Sequence, residues 1–64
     1  MKTLKIDADE AKLFKDRRHP SSERVWIAVR RRALDIAIKA DEMTEVVSPS
    51  GEQLDIVYPS SINP

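Results

Sequence analysis

Hydrophobic and polar positions change period along this chain, and each change marks an element. From Thr3 to Asp7 they alternate, with Leu4 and Ile6 on one side and Thr3, Lys5 and Asp7 on the other. Period two with one apolar face is the signature of a half-buried strand. From Ala8 to about Arg18 the pattern becomes helical but thin: Ala11 and Phe14 share a face, and Leu13 lies well round from them. Asp7 stands where an N-cap would, Glu10 completes a capping-box pair, and Asp9 and Glu10 suit the positive end of the helix dipole. His19 precedes Pro20 and is pushed out of helical geometry, so this helix should stop there.

Ser22 to Met43 is the long periodic stretch, with Ser21 or Ser22 as its cap and Glu23 in its first turn. At about 100° per residue, Val25, Val29, Ile36 and Met43 fall together, flanked by Trp26, Ala33, Ala37 and Ala40. Arg24, Arg31, Arg32, Asp35, Lys39 and Glu42 fall opposite. Between these faces lies a second apolar row, Ile27, Leu34 and Ile38. An apolar arc this wide exceeds the stripe of an ordinary surface helix and predicts neighbours on two sides. No Gly closes the helix, so its end falls somewhere from Ala40 to Thr44.

Val46 and Val47 turn the preference to strand. Ser48-Pro49-Ser50-Gly51 has the composition of a type I turn. Beyond it Leu54, Ile56 and Tyr58 recur at period two, with Asp55 and Val57 expected to face away. The pattern predicts a hairpin of about 45–48 with 53–58, stopped by Pro59. The fold class is α+β, in the order β-α-α-β-β, with a long central helix packed on a short antiparallel sheet. Residues 1–59 form one small domain, and 60–64 a loose C-terminal tail with Ile62 as its only anchor.

Size sharpens the expectation of a neighbour. A chain of about 60 residues hides only about 60% of the surface it exposes unfolded, and such domains usually add disulfides, a metal or a partner. With 64 residues, no Cys and one His, disulfides and thiolate or multi-His metal sites are excluded within the chain, leaving association, and a homodimer is expected. No apolar run approaches the roughly 18 residues of a membrane span, and MKTLKIDADE lacks the apolar core of a signal peptide. A complete, cytoplasmic protein is the expectation.

The net charge of +0 conceals an asymmetry. Lys15, Arg17, Arg18, Arg24, Arg30, Arg31 and Arg32 meet only Asp16 and Glu23, roughly +5 over that stretch. From Ala33 onward only Lys39 opposes Asp35, Asp41, Glu42, Glu45, Glu52 and Asp55, roughly −5. Arg31–Asp35, Asp35–Lys39 and Lys39–Glu42 have the spacing of a helical ion-pair ladder. Arg17, Arg18 and Arg24 have fewer acid partners and flank the junction of the helices. There Ser21 and Ser22 would offer free backbone N–H groups, so the junction is a candidate phosphate site. Arg30 falls inside the apolar arc, where its head either reaches water or pairs with an acid across an interface. Trp26 fits the core, or an interface anchor.

Catalytic chemistry finds little support. His19 could act as a base or phosphate contact beside Arg17 and Arg18, but has no partner in the sequence and suits a solvent-facing helix end. The pairs Asp9/Glu10 and Asp41/Glu42 are adjacent in helices and do not face each other. The single Gly rules out a glycine-rich phosphate loop, and no cofactor is expected.

TLKIDAD followed by SSERVWIAVRRRALD gives strand, helix and Ser-preceded helix, an order similar to that of the ribbon-helix-helix DNA-binding proteins. The resemblance covers about the first two-thirds of the chain and includes no specific motif. It implies strand pairing between two chains, Thr3 and Lys5 reading bases, and Ser21 and Ser22 meeting the DNA backbone. The sequence departs from the family in its short first helix, in His19-Pro20 where a Gly is usual, and in its C-terminal hairpin.

Two functional expectations follow. One is a homodimeric nucleic-acid-binding regulator of transcription, using Arg17, Arg18, Ser21, Ser22, Arg24 and Arg31 on DNA or RNA phosphates, with Trp26, Ile27, Arg30, Leu34 and Ile38 at the interface. The alternative is a protein–protein interaction module, such as an inhibitor, adaptor or assembly subunit. An enzyme is not expected.

Overall fold

The computed structural model describes residues 1–59; the expected loose tail, including Ile62, lies outside the described residues. Five elements follow in the order β1 (Lys2–Lys5), α1 (Ala8–Lys15), α2 (Ser22–Ala40), β2 (Thr44–Val47) and β3 (Gln53–Val57). The fold is α+β, with α2 lying across all three strands and α1 resting against α2. The sheet runs β1-β2-β3, and it is mixed, because β1 pairs with β2 in parallel while β2 and β3 form the expected antiparallel hairpin. The parallel ladder is a consequence of connectivity: both helices intervene between β1 and β2, and they return the chain to the end from which β1 started.

The first helix begins as its sequence dictates. Asp7 accepts from the Glu10 N–H at 2.7 Å, and the Glu10 carboxylate accepts from the Asp7 N–H at 3.3 Å, closing the capping box. It ends at Lys15, three residues before the expected Arg18, because Asp16 competes for the backbone. The Asp16 carboxylate accepts from the Arg18 N–H at 3.2 Å and its carbonyl from the His19 N–H at 3.1 Å, which turns the chain. Pro20 confirms an exit already made.

The end of α2 is set by backbone geometry. Asp41 adopts a left-handed conformation (φ 53, ψ 42), and the Glu42 N–H reaches the Ala37 carbonyl at 3.2 Å while the Asp41 N–H reaches Ile38 at 3.3 Å. This is a Schellman closure with Asp in the place usually held by Gly. Because the chain turns off here, Met43 leaves the core face predicted for it and is exposed. Glu42 pairs with the Met1 ammonium at 2.9 Å, which, with Lys2, holds its carboxyl below the ordinary value.

The core joins Ile6, Ala11, Phe14, Val29, Ala33, Val46 and Val57, with Leu4, Val25, Trp26, Leu34 and Leu54 packed around it. Small residues dominate the buried line of α2, Val29, Ala33 and Ala37, so the helix approaches the sheet closely. In β3 Leu54 packs on the core as expected, but beyond it the faces are the reverse of the expected ones: Val57 is 2% exposed and Tyr58 is 51% exposed. Val57 lies opposite Thr44 and Asp55 opposite Val46, and directly opposed residues share a face. Pairing of Val47 with Gln53 leaves Leu54 as an extra residue, a bulge that decouples β3 from simple alternation. The turn before it closes through the Gly51 N–H to the Ser48 carbonyl at 2.9 Å, with Gly51 at φ +91, where only Gly sits without strain.

Candidate nucleic-acid interface

The junction residues 16–21 are a wound pair of turns, and His19 holds them. Its carbonyl accepts from the Ser22 N–H at 3.0 Å, and its Nδ1 accepts from the Ser21 N–H at 3.0 Å. His19 is thus a turn-fixing residue in contact with neither Arg17 nor Arg18 by hydrogen bond among the described residues. The same bonds correct the expectation for Ser21 and Ser22: both N–H groups are already used. The Ser21 side chain forms no cap hydrogen bond, and Ser22 is 1% exposed with an unpartnered hydroxyl, turned into the protein. Neither serine therefore offers a free N–H at this helix start, and the Ser22 hydroxyl is turned inward.

The arginines divide by surroundings. Arg17 lies over the Trp26 ring, 5.0 Å from its centroid, and Arg30 lies 4.9 Å from the same centroid. Arg30 also pairs with Asp55 of β3. Both partners are part-buried, so this cation is neutralised inside its own chain, and neither reaches water freely nor waits for an acid across an interface as expected. Trp26 is half-buried against the core, and Leu34 likewise packs on the core rather than standing in an open row.

Arg18, Arg24 and Arg31 make no ion pair among the described residues. Of the expected ladder only Lys39–Asp35 forms, at 3.1 Å; Arg32 instead reaches Glu10 of α1 at 2.9 Å. Arg24 and Arg31 line an open groove with Pro20, Glu23, Ile27 and Ala28. Ile27 and Ile38 are 44% and 47% exposed. The open flank of α2 is therefore amphipathic: free guanidinium groups beside bare isoleucines.

Three of these relations escaped sequence reasoning. The Arg17–Trp26 stacking and the Arg30–Asp55 pair depend on how distant segments meet and left no local signal. The groove was detectable, since Arg24, Ile27, Ala28 and Arg31 follow helical spacing. β1 contributes less than the ribbon-helix-helix resemblance implied. One of its edges is taken by β2 of the same chain, and the Thr3 hydroxyl donates to Glu45 at 3.2 Å. No metal-binding cluster of His, Asp or Glu is present among the described residues, and no described helix is long and apolar enough to cross a membrane. Comparison with family models, with curated proteins and with solved structures gives no match.

Proposed function

We propose that this chain is a small homodimeric regulatory protein that binds nucleic acid through the arginines at the helix junction, acting in the cytoplasm and without catalysing a reaction. The observation that carries the reading is the concentration of unpaired guanidinium groups. Among the described residues Arg18, Arg24 and Arg31 remain without a carboxylate, although Glu10, Asp35, Glu42, Glu52 and Asp55 are all engaged in ion pairs elsewhere. With a net charge of +0 the attraction for phosphate must be local, and Arg is the side chain whose planar fork matches phosphate. Arg17, held over Trp26, adds a fourth cation at a fixed position.

Fluorescence anisotropy with mixed DNA and RNA duplexes tests the reading. Binding should weaken steeply with salt, and Arg17→Glu with Arg18→Glu should weaken it at least about tenfold at low salt, because each phosphate contact contributes to the salt slope. Absence of salt-sensitive binding at micromolar protein would sink it. The second reading, a protein-interaction module, draws on the bare Ile27 and Ile38; a stoichiometric heterologous partner whose capture survives the Arg17/Arg18 reversal would favour it.

A further inference from the structure

The bare isoleucines on α2 follow a symmetry that the arginines of the same open flank share. Counted outward from the link between Arg32 and Ala33, Ile27 and Ile38 are equidistant, and so are Arg24 and Asp41, and Arg31 and Leu34. These pairs set apolar against apolar or base against acid, and Arg31 against a position next to Asp35. A two-fold axis at that link would bring each residue of one α2 level with its mate on another, because an isologous interface makes i meet j and j meet i. Sliding the helices by one turn destroys the match: Ile27 would then face Asp35 or Glu42, and Arg31 would face Arg31 or Ile38. A parallel pairing sets Arg24 on Arg24 and Arg31 on Arg31.

We infer that the open flank of α2 is the docking surface for a second copy of this chain, packed antiparallel in this one register. Ile27 of each chain covers Ile38 of the other, Arg31 lies beside Asp35 of the second copy, and Arg24 lies level with its Asp41. The inference rests on the homodimer of the proposed function, and it takes two of the three unpaired arginines, Arg24 and Arg31, into the seam. It removes two exposed apolar side chains from water on each chain, and it gives Arg24 and Arg31 acids that their own chain denies them. Phosphate contact is thereby concentrated on Arg17 and Arg18. In this register Ser22 lies level with Met43 of the second copy, so the two helix junctions stand about 30 Å apart along the seam. That is close to the roughly 34 Å between half-sites on successive turns of duplex DNA.

The full chain has no Cys, which permits a clean test. Ile27→Cys and Ile38→Cys are made separately, and each is oxidised alone and as an equimolar mixture. The mixed disulfide should form at least about tenfold more than either self-disulfide, because only the antiparallel register puts position 27 on position 38. Light scattering should show a dimer for the unaltered chain and a monomer for Ile38→Asp, with unchanged far-ultraviolet circular dichroism. A monomeric unaltered chain, a dimer that survives Ile38→Asp, or self-disulfides that equal the mixed one would each overturn the inference. Arg18→Glu should leave the dimer and the cross-link intact. Failure of nucleic-acid binding with the cross-link preserved therefore removes only the phosphate reading.

Discussion

Arg30 and Arg31 are neighbours in sequence, yet a rotation of about 100° around α2 gives them opposite surroundings. On the flank toward β3, Arg30 lies over Trp26 and pairs with Asp55, and its cation is spent on holding the sheet to the helix. On the open flank, Arg31 lines a groove with Arg24 and Ile27 and has no acid partner among the described residues. The contrast teaches that a charge is structural or available according to what the opposite element presents, and not according to its residue type. One flank of the helix organises this domain, and the other is left for something outside it.

Substitutions on the two sides should separate accordingly. The largest contrast is steric. Ala33→Leu, at a fully buried position, should cost about 1–3 kcal/mol by overpacking, whereas Ala28→Leu on the open flank should change stability by less than about 0.5 kcal/mol. Urea unfolding of the two variants checks this, and equal losses would break the comparison.

Next in size is the charge contrast. Arg30→Ala should cost about 1–2 kcal/mol, since it leaves part-buried Asp55 without its partner; Arg31→Ala should fall within about 0.5 kcal/mol. A double-mutant cycle with Asp55→Asn should show coupling for Arg30 and none for Arg31.

The smallest effect sharpens the picture of the buried side. The Ser22 hydroxyl has no partner in a fully buried setting, so Ser22→Ala should be neutral or stabilise by up to about 1 kcal/mol, and should leave nucleic-acid affinity unchanged. A marked fall in affinity would return Ser22 to the phosphate site, and thermal melts give the stability arm.

How far the fold could be read in advance varies with the range of the interaction responsible. The capping box of α1 is local, four residues acting on one another, and it is present as written in the sequence. The hairpin turn is equally local, a Ser-Pro-Ser-Gly segment closed by its own backbone. Helical periodicity found the inward side of α2, because burial follows angle around the axis. It centred that side on Val25, Val29, Ile36 and Met43, whereas the buried line runs through Val29 and the flanking Ala33 and Ala37. The early end of α1 was less legible, since Asp16 can extend a helix or turn the chain with equal chemistry. The candidate site shows the same division. Arg17, Arg18, Arg24 and Arg31 were identifiable as cations short of nearby acids, but the N–H groups of Ser21 and Ser22, expected to be free, are taken up by His19.

By itself, then, the sequence determined the element order, the capping box of α1, the turn and the inward side of the long helix, all of which rest on residues within a few positions of one another. Only the tertiary structure decided which face of β3 is buried, that β1 and β2 run parallel, and that Arg30 is neutralised while Arg31 is free. Each depends on pairings between separate elements: Thr44 with Val57 across the hairpin, Arg30 with Asp55, and Thr3 with Glu45. No local pattern encodes such pairings, because the free energy that selects them arises only when the separate elements close over one core.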